Sequence, residues 1–336
     1  MIEKISNDNI KEYELFIRSH PQGSFFQTTQ WRRQKPNWRW RAVLRRNDRG
    51  EITGSMAVLI RRPSFLPWSF VYCCRGPVCD PTDEETLREL LREAKNIAHQ
   101  ERAYRLRMDP RMEIGSCDDV FLAAGFKHRD RKKSLQPSRV WRTPILPNMF
   151  SQFSREHAQG IRMAIQRNVV IQQGGRELIP RFTELMQQAA LRDSFVIRTG
   201  DYYAAMTENF GRRARVFLAE CEGRIAAAAL VIRHGDHLTC LFECDDGDIT
   251  LRAAYLLRGA ILQRAWKLGC AYCEFPSLPD DRNSSEYQFT AGFGGEAVTY
   301  TGEWDLTQHP FVNALASMAE TIWNSIKKKL FFIKIR

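Results

Sequence analysis

No apolar run in the 336 residues approaches the roughly 18 that cross a bilayer, so the sequence offers no transmembrane segment. No leader is expected at the start either: "MIEKISNDNIKEYELF" mixes acids with lysines and has no apolar stretch of signal-peptide length. These two absences lead to the expectation of a cytoplasmic protein. The nine cysteines form no evident disulfide framework and fit a reduced intracellular protein. Cys240-x3-Cys244 with Cys270-x2-Cys273 could be drawn as a four-thiolate zinc site. Cys240, Phe242 and Cys244 instead alternate along an apparent strand, where thiols serve as small hydrophobes, so no metal is expected.

What is present is a globular composition, 43% hydrophobic and 26% charged, in a chain long enough for two domains. The formal net charge of +11 points to an acidic partner or surface. The basic residues cluster at Arg32 to Arg46, at Lys127 to Lys133, and at Lys327 to Arg336. Such patches suit phosphate-bearing ligands, nucleic acid or anionic lipid.

The element pattern occurs twice. In the first half, strands are expected at Trp40–Arg45, Ile52–Ile60 and Phe70–Cys74. A helix follows from Thr82, with Thr82 and Glu85 as a capping box and Leu87, Leu90, Leu91, Ala94, Ile97 and Ala98 on one face. Next come the strand "AYRLRMD" and a short helix ending in "AAGF". The second half repeats the order: strands Val216–Cys221, Ile225–Arg233 and His237–Cys244, a helix over Leu251–Lys267, the strand "CAYCEF", and "TAGF". Gly50 to Gly125 and Gly223 to Gly292 are nearly the same distance apart, as a duplication requires. Hairpin, third strand, helix, fourth strand, helix and closing strand is the order of the GNAT acyltransferase fold. The expected class is therefore α/β (α+β), two tandem GNAT-like domains, each a mixed sheet flanked by helices. The domains are drawn at 1–145, completed by the C-terminal helix 311–336, and at 146–310. Neither junction before a central helix, "RGPVCDPTDEET" or "GDITLRAAYLLRG", carries the Gly-rich run that holds a coenzyme A pyrophosphate.

Six stretches taken in order, "SFFQTTQWRRQKPNW", "YRLRMDPR", "IRMAIQRNVVIQQG", "LRDSFVIRTGDYY", "LAECEGRIAAAALVI" and "FTAGFGGEAVTYTGEWDL", resemble the FemABX family. That family adds amino acids from aminoacyl-tRNA to peptidoglycan precursors. The chain has no long charged heptad stretch and so resembles the compact members without a coiled-coil arm. The resemblance implies a tRNA-dependent aminoacyltransferase that extends the stem peptide of UDP-MurNAc-pentapeptide or lipid II, acting as a monomer with no cofactor.

By that resemblance Lys35, with Trp38 nearby, contacts the diphosphate of the precursor, and a lysine suits phosphate as a point charge. Arg198 and Tyr202 match an arginine and a tyrosine that hold the same precursor; four apart, they share a face if a helix begins near Thr199 or Asp201. Tyr104 precedes Asp109 by the family's spacing, and Asp109, closing a strand, is the candidate to take the amine proton or orient the peptide. In well-studied members a lysine follows the phenylalanine matched by Phe289 and steadies the oxyanion or the tRNA acceptor end; here the position is Thr290, which has no charge. In "TCLFECDD" the family shows two tyrosines, of which Phe242 keeps one aromatic. Gly292, Gly294 and Gly295 allow tight turns close to a bound chain. The terminal "MAETIWNSIKKKLFFIKIR" combines lysines with bulky apolar residues, as helices at anionic membrane surfaces do. Two other readings stay open: an acyl-CoA-dependent GNAT enzyme acting on a small amine, and a catalytically silent Fem-like binding protein, which Thr290 keeps in view.

Overall fold

A computed structural model describes residues 1–336 except 64, 65, 132, 133, 277 and 336. Lys132, Lys133 and Arg336, and the side chains of Lys327, Lys328, Lys329 and Lys334, all named in the basic clusters, lie outside the described residues. The chain divides into two compact units, the first comprising 1–138 and 299–323, the second 139–298 and 324–336.

The first unit holds β1 (Ile2–Lys4), α1 (Ile10–Ser19), α2 (Thr29–Gln34), β2 (Arg39–Arg46), β3 (Ile52–Arg61), β4 (Ser69–Cys73), β5 (Val78–Cys79), α3 (Glu84–Gln100), β6 (Ala103–Met108), α4 (Asp118–Ala123) and β7 (Lys127–His128). Its sheet runs β1-β2-β3-β4-β6, with β5 on β3, and both faces are covered. Val43, Met56, Val58 and Ile60 share a core with Leu87, Leu90, Leu91 and Ala94 of α3, while Ala42, Leu44 and Ala57 pack with Tyr13 and Ile17 of α1. This is why the middle of each strand, Ala42 to Leu44 in β2 and Met56 to Ile60 in β3, is continuously apolar rather than alternating. The helical face expected of α3 is the buried one, but its cap is not Thr82. Asp80 takes both the N–H and the hydroxyl of Thr82, and Asp83 caps the helix by accepting from the Thr86 N–H at 3.0 Å.

The second unit holds β8 (Arg139–Pro144), α5 (Arg155–Gln166), β9 (Val170–Gly174), α6 (Ile179–Asp193), α7 (Gly200–Phe210), β10 (Ala214–Cys221), β11 (Arg224–His234), β12 (His237–Asp245), α8 (Ala253–Lys267), β13 (Tyr272–Pro276), α9 (Ser285–Ala291) and β14 (Glu296–Thr299). Its sheet order is β14-β8-β13-β12-β11-β10-β9. The tight turn of the β10–β11 hairpin places Glu222 and Gly223 at positive φ, 51° and 81°. After these come β15 (Trp304–Thr307) and α10 (Pro310–Ile335).

The repeat is visible in the ladders. In each unit an antiparallel pair precedes a third strand that runs parallel to the fourth: β4 beside β6, and β12 beside β13. Each third strand reaches its parallel neighbour through a central helix, α3 or α8. The strands completing the two sheets depart from the sequence reading. β8, inside the stretch 1–145 drawn for the first domain, pairs antiparallel with β13 of the second sheet. β15, inside 146–310, pairs with β6 of the first sheet and continues it to β7. Strands this short carry a period of two but no mark of their partner.

Candidate active site

The two parallel pairs differ at their carboxyl ends. In the first unit β4 and β6 stay paired along their length, and the Asp109 N–H still reaches the Cys73 carbonyl at 3.4 Å. In the second unit the parallel ladder stops after His237–Thr239 against Tyr272–Glu274, although β12 runs on to Asp245 and β13 to Pro276. Where it stops, β12 carries a bulge: Leu230 pairs with Phe242 and Val231 with Cys240, so Leu241 is extra. The parted strands open a cavity of about 450 Å³ lined by Cys240 to Asp245, Phe275 and Pro276, with Arg258 from α8 and Phe289 and Thr290 from α9. An opening at the carboxyl ends of parallel strands is where α/β sheets bind ligands.

Arg258 organises this cavity. Its Nε donates to both Glu243 oxygens at 2.9 and 3.0 Å, and Nη2 donates to Glu243 Oε2 at 2.8 Å. Nη1 donates to Thr290 Oγ1 at 2.9 Å, and the Thr290 hydroxyl proton goes to the Glu286 carbonyl at 2.8 Å. The guanidinium centre lies 4.5 Å from the ring centroids of both Phe275 and Phe289. A charge so enclosed is tolerable because the carboxylate compensates it and the hydrogen bonds are in place. Thr290 is therefore an acceptor toward Arg258, with its own proton already committed. The enclosed positive charge beside Phe289 comes from Arg258 of α8 rather than from the residue after Phe289.

The glycines of "FTAGFGG" serve the chain's own packing. A Cβ on Gly292 would overlap the His157 imidazole, and one on Gly295, at φ +98°, would overlap the Arg142 carbonyl. The expected approach to a bound chain is thus replaced by contact with α5 and β8. His157 uses the space: Nε2 donates to the Phe289 carbonyl at 2.8 Å and Nδ1 accepts from Ser154 Oγ at 2.7 Å. Burial holds its pKa below the usual histidine value, which keeps the ring neutral for that pair of bonds. The end of α9, and with it Phe289 and Thr290, is pinned by this contact.

Arg198 and Phe242 line the same cavity. Arg198 precedes α7, whose N-cap is Thr199, yet its guanidinium lies 5.3 Å from the Tyr202 ring centroid. The tyrosine lining the cavity is the next one, Tyr203, which packs edge-on to Phe242 at 5.0 Å and stays neutral, since burial pushes its pKa up to about 12.

In the first unit Lys35 and Trp38 line a separate cavity of about 600 Å³ with Arg32, Arg33, Arg39 and Arg41. Glu101 accepts from Arg39 and Arg41 and stands 3.6 Å from Arg62, so one carboxylate serves three cations. Lys35 Nζ lies 4.7 Å from the Trp31 centroid. Trp38 and Tyr104 pack on Phe70 at 6.0 and 6.2 Å. Asp109 lies in neither cavity and is 1% exposed. It accepts from Tyr72 Oη at 3.1 Å and from the Arg75 N–H at 2.7 Å, where Arg75 has φ +52°. Burial raises its pKa to about 7, against the pull of the Arg75 guanidinium.

Fold and site define a protein of two tandem GNAT-like units whose second sheet is opened by a splayed parallel pair. The chain belongs to the FemAB family: the family model matches residues 9–119 and 142–224. Lipid II:glycine glycyltransferase of Staphylococcus aureus is 33% identical over 215 residues, covering 60% of this chain and 51% of that protein. The chain thus spans about half the length of the curated relatives it matches. A crystal structure of FemX superposes with a TM-score of 0.82 at 22% identity, over 94% of this chain and 99% of that one. A tandem GNAT protein from the clavulanic acid biosynthesis pathway gives 0.55 at 11% identity, over 91% and 98%. Glu243, Arg258 and Thr290 lie beyond the residues matched by the family model.

Proposed function

We propose that the chain transfers an amino acid from aminoacyl-tRNA to the stem-peptide amine of a peptidoglycan precursor, lipid II or UDP-MurNAc-pentapeptide. Family membership and a glycyltransferase relative named for lipid II support the reaction class. The observation that carries the reading is the cavity between β12 and β13, with aromatic walls and a fixed guanidinium. Such a site suits a small acyl group whose carbonyl gains charge on attack. The basic cavity holding Lys35 and Trp38 suits the precursor's diphosphate, and Arg198 suits a second anionic or amide contact.

Coenzyme A is a poor fit on the same grounds. The N-terminus of a central helix ordinarily offers its N–H groups to the pyrophosphate. Here Asp80, Asp83, Glu84 and Glu85 crowd the start of α3, and Asp245, Asp246 and Asp248 precede α8. These carboxylates would repel a second anion. Among the described residues no helix is long and apolar enough to cross a membrane. The basic and apolar C-terminal sequence suits peripheral contact with an anionic surface that carries a lipid-linked acceptor.

The test is direct. The protein is incubated with a mixture of charged tRNAs and either UDP-linked or lipid-linked muropeptide, and the muropeptide is weighed by mass spectrometry. A gain of one amino-acid residue is expected; no gain on either acceptor removes the assignment.

A further inference from the structure

We propose that Arg258 receives the negative charge that develops on the acyl oxygen during transfer, with Glu243 and Thr290 as the residues that position it; this rests on the transfer reaction proposed above. In that reaction the acceptor nitrogen bonds to the ester carbonyl carbon and the carbonyl electron pair moves onto oxygen. Collapse of the intermediate breaks the bond to the ribose oxygen, which leaves with the proton lost by the amine. The products are an amide and tRNA with a free hydroxyl. The step needs a donor already aimed at the oxygen before charge appears.

Arg258 meets that need on three counts. A guanidinium has five N–H groups. The hydrogen bonds to Glu243 and Thr290 engage Nε and one N–H on each terminal nitrogen, which leaves two without a partner among the described residues. The side chain is 11% exposed and packs against Phe275 and Phe289, so donors there act with little screening by water. It also stands at the splay of β12 and β13, where the cavity is open to a ligand. The other arginine of the cavity, Arg198, is solvent-exposed. Thr290 cannot take the role, because its proton is held by the Glu286 carbonyl. Two aromatic rings and a two-oxygen contact fix the guanidinium plane, which a flexible ammonium would not reproduce.

The experiment compares the wild-type protein with Arg258→Gln, Arg258→Lys and the double variant Arg258→Met with Thr290→Lys. Turnover with charged tRNA is measured alongside binding of two tRNA 3′-terminal trinucleotides, one bearing a neutral amide-linked amino acid and one an anionic phosphonate in place of the ester carbonyl. Arg258→Gln is expected to lower kcat by about 10²–10³-fold with little change in KM, since the contact forms fully only as charge develops. It should also abolish the wild type's preference for the phosphonate. The double variant, which returns a cation from α9, should recover at least about tenfold of the lost kcat, a rescue that a purely structural role would not give. If Arg258→Gln does not fold, Arg258→Lys carries the test, with kcat down by at least about tenfold because one ammonium cannot keep all three contacts. An unchanged kcat in the folded variants, or a wild type that binds the two trinucleotides equally, overturns the proposal. A wild type that favours the phosphonate, with that preference lost in Arg258→Gln, yet that transfers nothing from any charged tRNA overturns the reaction and with it the charge-receiving step, and leaves Arg258 as an anion-binding residue of the cavity.

Discussion

Replacing Asp109 by asparagine separates two roles for that residue. In the folded chain its carboxyl is buried with a pKa of about 7, raised first by burial and opposed by Arg75. In the unfolded chain an aspartate titrates near about 3.9. Between those values the unfolded state has lost a proton that the folded state keeps, so stability contributed by Asp109 is full below about pH 4 and falls as pH rises through about 7. The gap between the two values corresponds to roughly 4 kcal/mol across the window. An asparagine side chain there would still offer an oxygen to the Arg75 N–H or the Tyr72 hydroxyl but would not titrate. Urea unfolding of both proteins at intervals from about pH 4 to about pH 8 reads the difference. The wild type should lose stability relative to Asp109→Asn by a few kcal/mol across that range, with the change complete once the pH is above the folded-state pKa. Parallel curves would show that Asp109 is not an enclosed, protonated acid. On activity, an anchor predicts a loss of less than about tenfold in kcat near neutral pH, whereas a general base predicts about 10²-fold or more.

Other substitutions test the remaining assignments. Lys35→Ala and Arg198→Ala should each weaken binding of UDP-linked muropeptide by about tenfold while moving the melting temperature little, since both line open cavities; calorimetry showing unchanged affinity in both would remove those contacts. Gly292→Ala should cost about 1–3 kcal/mol by forcing His157 from its place, and should lower turnover by displacing Phe289 and Thr290; a denaturation midpoint equal to wild type would contradict the packing. Asp83→Ala should cost about 1 kcal/mol in the same measurement, and Thr82→Ala less, because the cap is Asp83.

Much of the fold is legible in the sequence. The strong helical period of α3, the glycine turns of the hairpins and the doubled order of elements are enough for two GNAT-like units. Strand partnership is not legible: β8 and β15 are short stretches of ordinary alternation, and their sheets are set by contacts far along the chain. The cap of α3 is ambiguous because Thr82 and Asp83 are both good capping residues, and only the position of Asp80 decides between them. At the site, Arg198, Phe242, Phe289 and Thr290 do meet in one cavity, while Tyr202 gives way to its neighbour Tyr203 as a lining residue. Arg258 escapes the sequence reading although a signal exists. In "AAYLLRGAILQ" it is a single charge with apolar neighbours on every face of the helix, and a buried arginine of that kind needs a carboxylate partner. Glu243, alternating out of "CLFEC", is an available one.

The claim that the parted strands of the second unit hold the aminoacyl end is tested most directly by photocrosslinking. A tRNA charged with a diazirine-bearing amino acid is irradiated with the protein, and the adduct is located by peptide mass spectrometry. Adducts should fall within Cys240–Asp245 or Glu286–Thr290 and disappear when an excess of ordinary aminoacyl-tRNA competes for the site. Labelling confined to the Arg32–Arg41 region, or absent from both segments, would contradict the account.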